Sequence, residues 1–462
     1  MSQMPNMTLK NIAIACNGTY IGDKDLENTL IAGAVIDSRL VEKDYLFIPI
    51  RGERVDGHTF IPQVFEKGAC CVLSEEELEA PVGPYIKVKS SEQALKDIAA
   101  FYRRSLTIKV VGITGSVGKT STKEMIASVV SQKYQVHKTA GNFNNEIGLP
   151  LTIFGIREEH EIAILEMGIS DFNEMHRLAA IANPDICVIT NIGLCHLENL
   201  GTRDGILQAK TECFDHMTKE GVAILNGDDD KLCTKTKVNG RDTVFYGIAK
   251  ETIASSDVYA TDVVNLGFEG MQATIHTSKG HFEVHIRIPG EHNVYNALAA
   301  TAVGLELGLT LDEIKKGIEQ AKTISGRTNV LEAHGMHVID DCYNANPVSM
   351  EAALDVLSHA KGRKIAVLGD MGELGEDEKA LHYGVGKCAA SKQIDALFCA
   401  GSLAAEYKNG ANEQGSSLEV HYFEDKEDMI KELLSYVQAG DSILIKASHF
   451  MDFPKVVEAL TK

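Results

Sequence analysis

Residues 112–120 read GITGSVGKT and join an apolar stretch, IKVV, to a segment with helical periodicity. The apolar residues on one side of that predicted helix are Met125, Ile126, Val129 and Val130. A strand, a glycine-containing loop and a helix N-terminus in this order direct backbone N–H groups at a bound phosphate. The usual phosphate-binding spacing would place glycine at position 113, where this chain has Ile113, so the loop is a variant of that motif.

The loop also carries the two side chains that nucleotide chemistry requires. We expect Lys119 to reach the outer phosphates and the Thr120 hydroxyl to ligate magnesium. The residues predicted to contact the nucleotide here are Thr114, Gly115, Ser116, Val117, Gly118, Lys119 and Thr120. The alternative is an ordinary glycine-containing turn between a strand and a helix, which does not account for the Lys-Thr pair.

Length and composition restrict the class of protein. With 462 residues and about 150 per domain, we expect three domains. Lys and Arg number 45 against 65 Asp and Glu, and the net charge of −20 argues against a nucleic-acid partner held by phosphate contacts. The N-terminal sequence lacks a basic start followed by a long apolar run, so we expect no membrane span and a cytoplasmic location.

The order of predicted elements divides the chain into three α/β units. Residues 1–105 mix short strands and helices in a small N-terminal domain. Residues 106–325 alternate strands with helices, as parallel βαβ units do, and predict a central parallel-sheet domain around the phosphate-binding loop. Residues 326–462 alternate in the same way and predict a doubly wound, Rossmann-like C-terminal domain.

Two local patterns add detail to the central unit. Apolar residues alternate with polar ones after a turn at Ser278-Lys279-Gly280, which predicts an added antiparallel hairpin. The alternating residues are Phe282, Val284, Ile286 and Ile288. Further along, Thr310 followed three residues later by Glu313 predicts a capping box at the start of a helix.

Further short motifs follow the loop along the chain. In order, from the loop itself, they are TGSVGKTS, NFNNEIGLP, LEMG, TNIGLCHLENLGT, AKTE and GEHNVYNALAA. This series resembles the Mur ligase family, the ATP-dependent enzymes that build the cell-wall peptide and are relatives of folylpolyglutamate synthase. In the third unit, DDCYNANPVSM at 340–350 and LGDMGELG at 368–375 resemble the member that adds D-alanyl-D-alanine to UDP-N-acetylmuramoyl-tripeptide.

The resemblance implies an ATP-dependent ligase of peptidoglycan precursor synthesis. In that family a substrate carboxylate takes the γ-phosphoryl group of ATP, and an amine then displaces phosphate from the acyl phosphate to form an amide. The resemblance also implies that the N-terminal domain binds UDP, the central domain binds ATP and two magnesium ions, and the C-terminal domain binds the incoming dipeptide. We expect a monomer, and lysine and diaminopimelate both remain open as the third residue of the tripeptide.

The resemblance assigns three residues outside the loop to the metals and to catalysis. Glu166, at the end of the strand EIAIL, is expected to ligate one magnesium, although alone it would be a solvated strand-end carboxylate. His196 resembles the ligand of a second magnesium, although a lone histidine after a strand is more often a capping or core residue. Lys210 resembles the lysine that the family carries as a carbamate; from the residues alone it would be a surface lysine. Together with Lys119, His196 and Lys210 form the predicted catalytic set.

Three more residues are expected to complete the nucleotide site. Asn293 resembles the asparagine that contacts adenine, Arg327 offers a guanidinium group to phosphate, and Asp341 is expected to accept from a ribose hydroxyl. Because Arg327 and Asp341 lie beyond the central unit, we expect an interdomain cleft that closes on ATP.

The predicted substrate contacts fall into three groups by resemblance. For UDP they are Ser38 and Arg39. For the muramoyl-peptide they are Asn142, Asn144 and Asn145, for which an Asn-rich turn is the alternative. For the dipeptide they are Asn344 and Asn346. One departure concerns a KGSR-like segment that the family often has near the C-terminus: this chain has Ala447 in place of its glycine and His449 in place of its arginine, so a carboxylate contact by that arginine is in doubt.

Other functions fit the sequence less well. A GTPase switch would need a guanine-specifying N-K-x-D segment, and the chain has none. A nucleotide-driven motor gives no reason for a third α/β domain that carries YNANP. A folylpolyglutamate-type ligase shares the ATP chemistry, but the DSR and DGH segments of the first unit and LGDMGELG of the third argue against it. A binding module without catalysis remains as the last alternative.

Overall fold

Three large β-sheets organise the chain in the computed structural model, which describes residues 3–413 and 418–462. Within these ranges the sheets have five, nine and six strands, and a further sheet has two. Each large sheet is the centre of one domain, which we call N-terminal, central and C-terminal. None of the helices in the two ranges combines the length and the hydropathy that a bilayer span requires. The predicted α/β fold is confirmed.

The N-terminal domain has a short, mostly parallel sheet. Its elements are α1 (Leu9–Ala15), β1 (Thr19–Ile21), β2 (Gly33–Val35), β3 (Tyr45–Phe47), α2 (Ile61–Glu66), β4 (Cys71–Ser74), β5 (Tyr85–Lys87) and α3 (Ser91–Ser105). The strand order is β1-β5-β4-β3-β2, with β1 antiparallel to β5. The Ser90 side chain caps α3 by accepting from the Gln93 N–H.

The central domain has the largest sheet and carries the phosphate-binding loop. Its first elements are β6 (Lys109–Thr114), α4 (Lys119–Val130), β7 (Val136–Lys138), α5 (Gly148–Phe154), β8 (Ile162–Glu166), α6 (Glu174–Ala182), β9 (Ile186–Ile189), α7 (Leu197–Leu200) and α8 (Arg203–Thr211). The remaining elements are β10 (Val222–Asn226), β11 (Lys237–Val238), β12 (Arg241–Asp242), β13 (Val244–Gly247), β14 (Val258–Asn265), β15 (Met271–Thr277), β16 (Gly280–Ile286), α9 (His292–Glu306) and α10 (Leu311–Gln320).

The topology of this sheet determines where a ligand can bind. The strand order is β16-β15-β14-β13-β10-β9-β6-β8-β7, and the pairs from β7 to β14 are parallel. After β6 the chain forms β7 and β8 on one side of that strand, and it then forms β9 and β10 on the other side. Ligands of open α/β sheets bind outside the carboxyl ends of the strands at such a switch point. The loop after β6 lies at this position.

Both local predictions for the central domain are confirmed. Strands β15 and β16 pair antiparallel through the expected turn, with Thr277 opposite Gly280. Thr310 and Glu313 form both hydrogen bonds of a capping box at the start of α10.

The N-terminal and central domains share one apolar core. Buried side chains of both domains belong to it, among them Met4, Leu46, Leu149 and Leu225. At the boundary the Tyr102 hydroxyl donates to the Ile156 carbonyl at 2.7 Å, and Arg103 Nε donates to the Ala182 carbonyl at 2.9 Å. Because a large apolar interface disfavours relative motion, we treat these two domains as one body.

The C-terminal domain is a doubly wound sheet with its own cores. Its elements are β17 (Asn329–Ala333), β18 (Met336–Asp340), α11 (Pro347–Ser358), β19 (Lys364–Gly369), α12 (Glu378–Ser391), β20 (Ala396–Ala400), α13 (Ala404–Glu413), β21 (Glu419–Phe423), α14 (Lys426–Tyr436), β22 (Ser442–Lys446) and α15 (Pro454–Thr461). The strand order is β17-β18-β22-β19-β20-β21, with β17 antiparallel. Helices α11, α12 and α13 cover one face, and α14 and α15 cover the other.

Helices α12 and α13 cross at two glycines. A Cβ atom at Gly386 would lie 2.1 Å from the Tyr407 carbonyl oxygen, and one at Gly410 would lie 2.0 Å from the Tyr383 carbonyl oxygen. Both distances are far below van der Waals contact, so a side chain at either position would push the helices apart.

We expect Gly386→Ala to lower the free energy of unfolding by about 1–3 kcal/mol, because overpacking shifts the backbone. The matched control is Gly384→Ala on the same helix, where the position is exposed and a Cβ would have no atom within 4 Å. This control should raise stability by about 0.5–1 kcal/mol through helix propensity. Urea unfolding midpoints of the full chain compare the two variants, and a neutral Gly386→Ala would contradict the packing argument.

Candidate functional site

A cleft of about 410 Å³ lies between the central and C-terminal domains. It brings together most of the residues predicted for the nucleotide, the metals and the substrates. From the central domain these are residues 116–120, Asn142, Asn144, Asn145, Glu166 and His196. From the C-terminal domain they are Arg327, Asn344 and Asn346. A cavity of this size is in the range of small-molecule sites.

The backbone of the phosphate-binding loop requires its glycines. Gly115 has a φ of +147°, and a Cβ there would lie 1.9 Å from Thr190 Oγ1. Gly118 has a φ of +83° and begins α4 without any side-chain cap. The first N–H groups of α4 therefore have no intramolecular acceptor from a cap and are available to an anion.

Asn191, which the sequence did not single out, shapes this loop. Its carbonyl accepts from the Ser116 N–H and its Oδ1 accepts from the Val117 N–H, both at 3.0 Å. The N–H groups of these two predicted nucleotide-binding residues therefore donate to Asn191. The N–H groups at the start of α4 are the ones that remain for a phosphate. Lys119 Nζ donates to the Gly115 carbonyl at 2.9 Å and remains next to the loop.

Glu166 lies beside Thr120, as its place at the end of a neighbouring parallel strand predicts. Its Oε1 accepts from Thr120 Oγ1 at 3.2 Å and from Asn144 Nδ2 at 2.8 Å. Its Oε2 is buried and has no hydrogen-bond partner within the described residues. Only 2% of the residue is exposed. A buried carboxylate oxygen without a hydrogen-bond partner suits a site for a cation.

Lys123 is a second residue that sequence reasoning missed. It is 1% exposed, donates to the Thr139 carbonyl at 2.7 Å, and has its Nζ 3.8 Å from Glu166 Oε2. Glu124 Oε1 lies 3.2 Å from the same Nζ. A buried lysine needs such partners, and Lys123 supplies part of the positive charge that Glu166 requires.

Buried polar atoms without partners concentrate at the residues predicted for the nucleotide and the metal. Four such side-chain atoms occur in the part of the chain that the structure describes, and three of them belong to Thr114, Glu166 and Arg327. The Arg327 guanidinium lies over the Tyr343 ring, 4.0 Å from its centroid, while its Nε stays unpartnered. Native structures satisfy buried polar groups, so these atoms indicate a site for polar ligands.

The donors in the cleft fit magnesium. A carboxylate and a hydroxyl oxygen, from Glu166 and Thr120, lie together, and magnesium prefers such hard oxygen ligands with phosphate and water completing its shell. Among residues 3–413 and 418–462, no three His, Cys, Asp or Glu side chains form a complete metal cage. A site that completes its shell with substrate oxygens does not need one.

His196 meets a residue of the other domain. Its Nδ1 lies 2.8 Å from Glu373 Oε2, and a hydrogen bond to His196 lowers the pKa of Glu373. The sequence had drawn attention to the LGDMGELG segment that contains Glu373 without giving this residue a role.

Lys210 is buried in α8 rather than exposed. It is 1% exposed, so the surface-lysine alternative is wrong. Burial lowers the pKa of Lys210 to about 8. Its Nζ has no hydrogen bond or ion pair to any residue that the structure describes.

Two predicted nucleotide residues lie beside the cleft with their polar groups engaged. Asn293 Nδ2 donates to the Pro289 carbonyl at 2.7 Å, and the residue lines a narrow pocket of about 20 Å³ together with Arg327. Asp341 Oδ2 accepts from the buried Lys446 at 2.6 Å, and its Oδ1 accepts from the Thr328 N–H at 3.0 Å.

The predicted substrate residues differ in their surroundings. Ser38 and Arg39 lie on the N-terminal domain, outside the cleft, and Arg39 pairs with Asp37 at 2.6 Å. Asn346 caps α11 by accepting from the Ser349 N–H at 2.9 Å. All five predicted substrate asparagines line the cleft: Asn142, Asn144, Asn145, Asn344 and Asn346.

Comparison with known proteins shows that three family models match successive parts of the chain. The model described as "Mur ligase family, catalytic domain" matches residues 30–103, and the model described as "Mur ligase middle domain" matches residues 113–304. The model described as "Mur ligase, glutamate ligase domain" matches residues 326–449.

Curated relatives and solved structures match this chain over nearly its whole length. The UDP-N-acetylmuramoyl-tripeptide–D-alanyl-D-alanine ligase of Bacillus subtilis is 38% identical over 99% of this chain and 99% of its own. The crystal structure of MurF from Acinetobacter baumannii has a TM-score of 0.90 at 32% identity and covers 99% of both chains. The MurF ligase of Thermotoga maritima in complex with ADP has a TM-score of 0.82 at 31% identity, over 93% of this chain and 96% of that one. The family expected from the sequence motifs is confirmed: the chain belongs to the Mur ligase family.

Proposed function

We propose that this chain is the ATP-dependent amide ligase that adds D-alanyl-D-alanine to UDP-N-acetylmuramoyl-tripeptide in peptidoglycan precursor synthesis. The products are the UDP-muramoyl-pentapeptide, ADP and phosphate. The observation that carries the proposal is the pair of unpartnered buried atoms, Glu166 Oε2 and Arg327 Nε, at one interdomain cleft. The relative from Bacillus subtilis is named for this pair of substrates, and the Thermotoga maritima relative is solved with ADP.

The reaction consists of two displacements. A carboxylate oxygen of the tripeptide attacks the γ-phosphorus of ATP, and ADP leaves. The dipeptide amine then attacks the acyl carbon, phosphate leaves, and the amine loses a proton to solvent. Lys119, Arg327 and the start of α4 stabilise the phosphate charges. Magnesium, when bound, neutralises charge that develops on the phosphate oxygens.

The metal assignments extend this proposal. Glu166 and Thr120 hold one magnesium through oxygen atoms that already lie 3.2 Å apart. His196 serves a second magnesium, for which its place in the same cleft is the support.

The three domains divide the substrates. We assign residues 1–105, with Ser38 and Arg39, to UDP; residues 106–325 to ATP; and residues 326–462 to the incoming dipeptide. Asn142, Asn144 and Asn145 bind the muramoyl-peptide, and Asn344 and Asn346 bind the dipeptide. The enzyme acts as a cytoplasmic monomer.

ATP entry requires the C-terminal domain to move. The pocket beside Asn293, where adenine is expected, holds about 20 Å³, roughly the space of one water molecule. Arg327 and Thr328 of the C-terminal side line it. Separation of the two domains enlarges this pocket so that the base can enter, and closure of the cleft on ATP then brings Asp341 to the ribose.

Phosphate release with ATP and magnesium tests the function directly. We expect sustained release only when both UDP-muramoyl-tripeptide and D-alanyl-D-alanine are present, with mass detection of the pentapeptide product. Each substrate is omitted in turn as the control. Release that ignores both substrates, or that follows glutamate and a folate, would overturn the proposal.

Substitution of Glu166 tests the first metal site. Glu166→Gln keeps the shape of the side chain and removes its charge, so we expect the magnesium concentration for half-maximal rate to rise at least about tenfold. Magnesium titrations of activity measure this concentration. Glu159→Gln, at an exposed position of the same domain, is the control and should leave the titration unchanged. Coincident titrations of wild type and Glu166→Gln would remove Glu166 from the metal site.

Lys210 is carbamylated in the active enzyme. The neutral amine adds to carbon dioxide and releases a proton, and a buried lysine without a partner favours its neutral form. Because burial lowers its pKa to about 8, the neutral fraction grows as the pH rises through that value.

With ¹³C-bicarbonate we expect a carbamate carbon signal by NMR that increases as the pH rises through about 8, and that is absent from Lys210→Ala. The exposed Lys219 supplies the control, because Lys219→Ala should retain the signal. A signal that persists in Lys210→Ala would place the carbamate on another amine.

A further inference from the structure

We propose that Glu373 is a positioning residue that orients His196 for the metal and makes this orientation depend on docking of the C-terminal domain. The inference deepens the proposed function and rests on it. Glu373 belongs to the segment after β19 in the C-terminal domain, whereas His196 follows β9 in the central domain. Their side chains meet across the cleft at 2.8 Å, and both line it.

The ring nitrogen that Glu373 contacts decides the tautomer. A carboxylate beside Nδ1 favours the tautomer that carries its proton on that nitrogen, which leaves the lone pair of Nε2 for a metal. Nε2 forms no hydrogen bond within the residues that the structure describes. Histidines that ligate metals usually donate their other N–H to a carboxylate in this way, which fixes the orientation of the ring.

The backbone supports a specific role for the pair. His196 has a φ of +52° and Glu373 a φ of +61°, in the left-handed region that residues with a side chain adopt infrequently. Glu373 is not Asn, Asp, His or Gly, the types that enter this region most readily. Two such residues that face each other across a domain boundary indicate a contact that the surrounding fold imposes.

Neighbouring contacts show that this part of the C-terminal domain docks on the segment after His196. A Cβ at Gly375 would lie 3.9 Å from the Glu198 backbone nitrogen. On the other side of the cleft, a Cβ at Gly193 would lie 3.9 Å from Val348 of α11. The contact between Glu373 and His196 therefore forms only when the C-terminal domain is docked on the central domain.

This dependence has a chemical consequence for the ligase. The C-terminal domain brings the amine, and His196 would hold a metal that supplies positive charge for phosphoryl transfer. Because Glu373 completes the metal site only in the closed state of the domains, the carboxylate of the tripeptide is activated only in that state. The acyl phosphate then forms where the amine is present and water is excluded.

Manganese binding tests this role without reference to turnover. Binding of Mn²⁺ to the full-length protein with ADP is measured by the loss of the free-ion EPR signal. We expect Glu373→Ala to raise the dissociation constant of one bound ion about tenfold. Glu376→Ala is the matched control, because it removes an exposed carboxylate three residues away and should leave Mn²⁺ binding unchanged. Glu373→Gln retains an acceptor for Nδ1–H and should recover part of the affinity.

A double-mutant cycle separates orientation of His196 from a general effect of charge. In the His196→Ala background, Glu373→Ala should have no further effect on Mn²⁺ binding, because the residue acts through the imidazole. An equal loss in both backgrounds, or unchanged or tighter binding in Glu373→Ala alone, would overturn the proposal. Substrate-dependent phosphate release is measured separately, so failure of the ligase assignment and failure of this inference give different results.

Discussion

The active cleft depends on the carboxylate of Glu166 at the end of β8. Parallel pairing places Ile113 of β6 opposite Glu166, so the loop that follows β6 and this carboxylate leave the sheet side by side. Thr120 and Asn144 then hold one oxygen, and burial leaves the other without a partner. A buried carboxylate lowers stability unless charge compensates it. Within the described residues, the Lys123 Nζ 3.8 Å away is the cation that partly compensates this carboxylate oxygen.

Much of the fold and part of this site could be predicted because they follow from local sequence periodicity. The β16 alternation, the capping box at Thr310 and the helix after GKT depend on neighbours within a few residues, and all three occur in the structure. The closeness of Thr120 and Glu166 follows from topology, since the carboxyl ends of adjacent parallel strands meet at one edge. The family motifs gave the class of chemistry.

Other features could not be predicted because they depend on partners distant in sequence. Lys123 lies in an amphipathic helix, where lysine usually marks the solvent face, yet it is buried against Thr139 and Glu166. The Glu373 contact with His196 joins two domains and leaves no periodic signal in either segment. Burial of Lys210 has the same origin, because the pattern of one helix does not reveal what packs on its polar side.

The apolar core that joins the N-terminal and central domains fixes the distance between the first domain and the loop after β6. If the first domain holds the uridine nucleotide and the loop after β6 holds the terminal phosphate of ATP, a rigid junction sets the span between the two anchors. A substrate must then bridge that span for its carboxylate to arrive at the phosphorus. Under this assignment the paired domains would measure the length of the peptide: a chain one residue short would stop before the phosphate, and a longer one would carry its carboxylate past it. Selection of the tripeptide by length would reside in this junction rather than in any single contact to its side chains.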